Sequence, residues 1–211
     1  MATTLLKGTA YITGGASGIG RATAFGLARH GIQRLALTDI SQESLSATSS
    51  ALKSQHPDVE IEAIQLDVRD VKAVDDSMVQ AVKRFGRIDV AVNVAGIVGA
   101  GKTTDASEEA DWAGVLDVNL NGVWRSQRAQ DAITYAPHGI RINAICPGYV
   151  RTPLLHAAVI AGSMDPEIAK TPMGRLAEVE EIADTIAFMA SPMASFMAGS
   201  ALLVDGGYSA N

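Results

Sequence analysis

Gly14, Gly18 and Gly20 stand at the spacing G-x-x-x-G-x-G, with Ser17 and Ile19 inside it. A backbone without side chains can approach an anion closely. A helix starting there adds unpaired N–H groups and the positive end of its dipole, so the stretch suits a phosphate group. The spacing is not the G-x-G-x-x-G of the common dinucleotide fingerprint, and a glycine-rich turn alone is also compatible with a plain tight turn. Asp39 argues for the first reading. It follows the apolar run Leu35-Ala36-Leu37, about 20 residues on, where a carboxylate suits the ribose hydroxyls of an adenosine half. Three further polar positions follow later apolar runs or sit beside an apolar stripe. Asp67-Val68 and Asn93 with Ala95 and Gly96 are also compatible with turn chemistry, and Asn119 with a buried, satisfied amide. Cys146 reads as a small buried residue, His156 as an exposed polar one, and no metal-ligand set is expected.

The elements that must position these residues alternate along the chain. Strands are expected at Thr9–Thr13, 34–38, 59–66, 90–94, 140–146 and Ala201–Val204. Helices are expected at 19–29, after Ser41, after Asp70 to Gly86, from near Ser107, and over 178–190. The run at 90–94 is apolar without interruption, as a parallel strand covered on both faces requires. Such alternation predicts an α/β fold with a doubly wound, Rossmann-like parallel sheet. Residues 1–211 form a single domain in this reading, with a lid segment at about 153–175. In such sheets ligands sit at the carboxyl ends of the strands, and Gly14, Asp39, Asp67 and Asn93 all fall at such ends.

Hydrophobic residues make up 47% of the 211 and charged ones 19%, as in globular α/β proteins. The net charge is −6 and no block of Lys or Arg stands out, which argues against nucleic acid or an anionic membrane as partner. The single cysteine allows no intrachain disulfide, and no apolar stretch is long enough to cross a bilayer. The first residues run almost directly into a strand, leaving no room for a secretory signal. A cytoplasmic location is the expectation.

Taken together, the motifs resemble the short-chain dehydrogenases/reductases. The resemblance is carried by the glycine stretch and by Asp67-Val68, Asn93-Val94-Ala95-Gly96, Asn119, Pro147-Gly148, Thr152 and Asp205-Gly206-Gly207, and it covers nearly the whole chain. It implies an oxidoreductase that exchanges a hydride between NAD(P) and a small alcohol or ketone. It also implies that Asp67-Val68 contacts the adenine, that Asn93 with Gly96 closes over the adenosine ribose, and that Val150 and Thr152 hold the nicotinamide carboxamide and a nearby phosphate. Asn119 aligns with the asparagine of the family's catalytic tetrad, where it kinks a helix and holds a water. Asp39 favours NAD, because its carboxylate repels a 2′-phosphate.

One part of the family pattern is missing. Reduction of a carbonyl needs a proton and a partner for the developing oxyanion. The family supplies these from a serine, a tyrosine and a lysine four residues after the tyrosine. Here Tyr11, Tyr135 and Tyr149 are followed four positions on by Gly15, Gly139 and Pro153, and Tyr208 by no residue. Tyr135, just before Pro137-His138-Gly139, reads as the end of a helix rather than as a substitute. The apolar residues Trp112, Val115, Leu116, Leu120 and Val123 form one helical face, which the polar stretch 125–131 interrupts like a seam between two helices. Roughly one βα unit is absent on this reading. A strand at 90–94, one composite helix and a strand at 140–146 would still make a right-handed crossover, closing the sheet with one strand fewer. Lower stability, an exposed apolar patch and loss of the family's usual dimer helix are expected, with a homo-oligomer still open. The alternative is a non-catalytic nucleotide-binding protein, or a truncated or mis-spliced form of an active reductase. A nucleotide-sugar epimerase would show G-x-x-G-x-x-G, which does not match.

Overall fold

The computed structural model describes residues 4–134 and 140–210. β1 (Thr9–Thr13) is buried at every residue. It pairs in parallel with β2 (Arg34–Asp39) on one side and β4 (Val90–Asn93) on the other, and β2 pairs with β3 (Glu60–Gln65). The resulting order is β3-β2-β1-β4. The chain leaves β1 in one direction, then returns to pair on its other side. That reversal opens a crevice at the strand ends.

Helices cover both faces. On one, α1 (Gly18–Arg29) and α8 (Val179–Ala190) bury Leu27, Ile182 and Ile186 against Ala10, Ile12, Leu35 and Leu37. On the other, α3 (Val71–Phe85) buries Val74, Met78 and Phe85 against Tyr11 and Ala36. Alternation along β1 sends Ile12 and Tyr11 to opposite layers, and the Tyr11 hydroxyl finds Ser77 at 2.7 Å. The start and stop signals act as expected. Ser41 accepts from the Ser44 N–H at the start of α2 (Gln42–Gln55), Asp70 accepts from the Ala73 N–H, and Gly86 ends α3 at φ 86°.

After β4 a single helical run carries the chain onward. α4 (Glu109–Leu116) passes through a π-helical turn (Asp117–Gly122) into α5 (Val123–Thr134). The polar stretch does not break it. Ser126, Ala129 and Gln130 are buried, and the exposed Arg128 pairs with Asp75 of α3 at 2.7 Å. Of the expected apolar face, Trp112 and Leu120 are left outside, 65% and 61% exposed, while Val115, Leu116 and Val123 are partly buried.

β5 (Ala144–Pro147) pairs in parallel with β6 (Ala201–Val204) in a separate two-stranded sheet. The expectation that the sheet closes with one strand fewer is therefore corrected: among the described residues no ladder joins β4 to β5. Ladder partners must lie about 4.8 Å apart. β5 and β6 are instead anchored through Ile145 and Val204, which pack against the α1–α8 core. The strand expected over 140–146 begins only at Ala144. Ahead of it, the Arg141 guanidinium donates to the carbonyls of Met189, Ser191 and Met197, which ties the segment down without a ladder. Two short helices, α6 (His156–Ile160) and α7 (Asp165–Lys170), occupy the expected lid region. Among the described residues no helix is long and apolar enough to cross a membrane.

Candidate cofactor cleft

The turn between β1 and α1 needs its glycines. Gly14 and Gly18 have φ of 67° and 47°, the left-handed region where a side chain is strained. A Cβ at Gly20 would lie 2.0 Å from the Gly14 carbonyl oxygen, so α1 could not start so close to the strand. Ser17 caps α1 with extended backbone and makes no side-chain cap bond. The unpaired first-turn N–H groups therefore face the crevice without a competing oxygen from Ser17. The Thr13 hydroxyl accepts from the N–H groups of Val94 and Ala95 at 3.2 and 3.4 Å, which ties the end of β1 to the end of β4.

A cleft of about 1020 Å³ runs across these strand ends. Gly14, Ser17, Gly18, Ile19 and Gly20 form one part of its wall. Asp39, Asp67 and Val68 form a second, Ala95, Gly96 and Asn119 a third, and Val150 with Thr152 a fourth. Asp39 is already oriented: its two oxygens accept from the N–H groups of Ala16 and Ser41, each at 3.1 Å. A carboxylate has about four acceptor sites, so capacity remains for a ribose diol. Thr152 stands against the glycine turn, 3.4 Å from where a Gly18 Cβ would be. Val150 is buried and bridges to Ala177.

Three expected residues have partners that the sequence did not show. Asn93 does not line the cleft. Its amide is closed in a reciprocal pair with Gln130 of α5 at 3.1 and 2.8 Å, so it braces β4 against the helix. Asp67 lines the cleft, but Arg69 grips it through its backbone N–H, Nε and Nη2 at 2.6–3.0 Å. The Arg69 hydrogen bonds hold its carboxyl below the usual carboxylate range. Asn119 sits in the π-helical turn, where its amide accepts from the Ile97 N–H and donates to the Ile97 carbonyl, both at 2.9 Å. It thus pins the loop after β4.

Among the described residues, no tyrosine or lysine lines the cleft. Tyr135 lies outside the described residues. Tyr149 and Tyr208 stack edge to face and both donate to Oε2 of Glu167 in α7, at 3.2 and 2.8 Å. The bond to Glu167 pushes the Tyr208 phenol up to about 12, the wrong direction for a proton donor near neutral pH. This cluster escaped sequence reasoning because Tyr149, Glu167 and Tyr208 lie in three separate segments with no shared spacing.

The short chain dehydrogenase family matches residues 8–132. The chain is a member of the short-chain dehydrogenase/reductase family. A second family description, Enoyl-(Acyl carrier protein) reductase, matches residues 129–209, so the two matches meet at the end of α5. Among similar members, a short-chain dehydrogenase, anuF, of Penicillium roqueforti is 32% identical over 264 positions, covering 96% of each chain. A levodione reductase of Leifsonia aquatica is 33% identical over 251 positions, covering 94% of this chain and 93% of that one. With 211 residues here, at least 53 positions of the first alignment have no counterpart in this chain. Among solved structures, gox2181 superposes with a TM-score of 0.92 at 26% identity over 99% of this chain and 98% of that one. A levodione reductase superposes at 0.86 and 32% identity, over 96% and 98%.

Proposed function

We propose that this short-chain dehydrogenase/reductase binds NAD(H) in the cleft, its pyrophosphate on the first turn of α1 and its adenosine ribose on Asp39. The observation that carries the reading is Asp39. It is held by two backbone N–H groups at one side of a glycine-walled crevice, with acceptor capacity left over. The same carboxylate disfavours a 2′-phosphate by like-charge repulsion, so NAD(H) is preferred over NADP(H). A solved relative, an actinorhodin polyketide ketoreductase, is described with NADPH. Bound NAD(H) would supply or accept the hydride, with a small alcohol or ketone as the other reactant. This chain's contribution is to orient the coenzyme through Asp39, Val150 and Thr152 and to set the cleft wall through Asn119.

A second reading concerns turnover. No Tyr-x-x-x-Lys occurs in the sequence, and the two family matches meet where a βα unit would carry it. We infer that the 211-residue form retains nucleotide binding with negligible dehydrogenase activity, and that a longer form encodes Ser, Tyr and Lys between Gln127 and Ile133. A cytoplasmic location belongs to the same reading.

Thermal-shift titration with NAD⁺, NADH, NADP⁺ and NADPH tests the first claim. NAD(H) at 100 times its Kd should stabilise the fold by about 2.7 kcal/mol, and Asp39→Ser should narrow the preference over NADP(H). No stabilisation by any of the four would remove the binding claim. Turnover on an alcohol panel, abolished in Asn119→Ala, would overturn the second.

A further inference from the structure

Arg125 reaches back to the π-helical turn that carries Asn119, where Asn121 also donates to the Asp117 carboxylate at 3.4 Å. Arg125, in the first turn of α5, donates through Nη1 to the Asp117 carbonyl at 3.1 Å and through Nη2 to the Asp117 carboxylate at 2.6 Å. A π turn widens the helix and disturbs its regular bonding, and such turns recur at functional sites. Here the guanidinium serves the backbone and side chain of the turn's first residue together. The same Nη1 lies 3.5 Å from the Val68 carbonyl, on the wall beside Asp67. Gly122 closes this contact from the helix side, since a Cβ there would come within 2.7 Å of Val68 Cγ2. The Arg125 side chain is 15% exposed, whereas Arg128, three residues on, is 42% exposed in its pair with Asp75.

These contacts join two walls of the cleft. One wall is the Asp67–Arg69 loop. The other is the Ile97 backbone, pinned by Asn119 two residues beyond Asp117. We propose that Arg125 is a positioning residue of the cleft, fixing the π-helical turn against Val68 so that the two walls stand at a set separation. The consequence for nucleotide affinity rests on the NAD(H) reading above. The alternative is an ordinary helix-stabilising ion pair, and Arg128 provides that control.

The test uses the whole 211-residue chain. Calorimetric titration with NADH is compared for wild type, Arg125→Met, Arg125→Lys and Arg128→Met, with hydrogen exchange followed at residues 66–69 and 94–98. Arg125→Met should lower NADH affinity about tenfold, as expected for losing a charged hydrogen-bond donor. Arg125→Lys should recover only part, because a point charge cannot serve carbonyl and carboxylate in the same fork geometry. Both Arg125 variants should speed exchange at Ile97, and Arg128→Met should change neither affinity nor exchange there. If Arg125→Met does not fold, Gly122→Ala replaces it and should weaken binding by pushing the turn off Val68. Wild-type affinity and exchange in Arg125→Met, or equal losses in Arg128→Met, would overturn the proposal. If wild type binds no nucleotide, the NAD(H) reading falls, and the exchange comparison still decides the role of Arg125.

Discussion

The two sheets are both parallel, yet β1 is buried at every residue while β5 and β6 have no fully buried residue. Sequence character does not explain this, because Ala144-Ile145-Cys146 and Leu202-Leu203-Val204 are as apolar as Ala10-Tyr11-Ile12. Position does. β1 has a ladder on each edge and helices on each face, so every residue is enclosed. β5 has one ladder partner and one packed face, carried by Ile145. An apolar strand becomes core only when neighbours close it in.

The largest test of this contrast is a pair of truncations. Ile12→Ala, in the enclosed strand, should cost about 2–5 kcal/mol in urea unfolding. Leu203→Ala, at a side chain 59% exposed, should stay within about 0.5 kcal/mol. Equal losses would mean that the two sheets are equally packed. Next in size is the difference in local opening. Amide protons of β1 should exchange only with global unfolding, and those of β5 and β6 through a smaller sub-global opening. Coincident exchange would show a single cooperative unit. The smallest effect concerns α8, whose core packing both sheets share. Hydrogen bonds from Arg175 and from the Glu178 N–H hold the Glu181 carboxyl down at about 2, against an ordinary 4.5. A depressed carboxyl contributes stability that is present above its unfolded value and lost as pH falls through its folded value. The Tm advantage of wild type over Glu181→Gln should therefore persist above pH 4.5 and fade by about pH 2. A constant difference across that window would exclude this linkage.

Much of the first sheet was legible because its signals are local. An apolar run bounded by glycine marks β1, Ser41 and Asp70 mark helix starts, and Gly86 marks an end. Each works through neighbours a few residues away. The cleft was legible for a related reason: in a parallel sheet, chemistry collects where strands stop, and Gly14, Asp39 and Asp67 stop theirs. Distant partners were not legible. Asn93 meets Gln130 across 37 positions, Arg69 claims the carboxylate expected for adenine, and Glu167 gathers one tyrosine from before α6 and one from after β6. Nor does helical spacing say what a stripe will face. Trp112 and Leu120 share a face and still look outward.

The outer flank of β4 has no ladder partner among the described residues. Its main-chain donors and acceptors form a template that any extended polypeptide of suitable length can read. A free flank of this kind favours edge-to-edge association as concentration rises, independently of what the crevice holds.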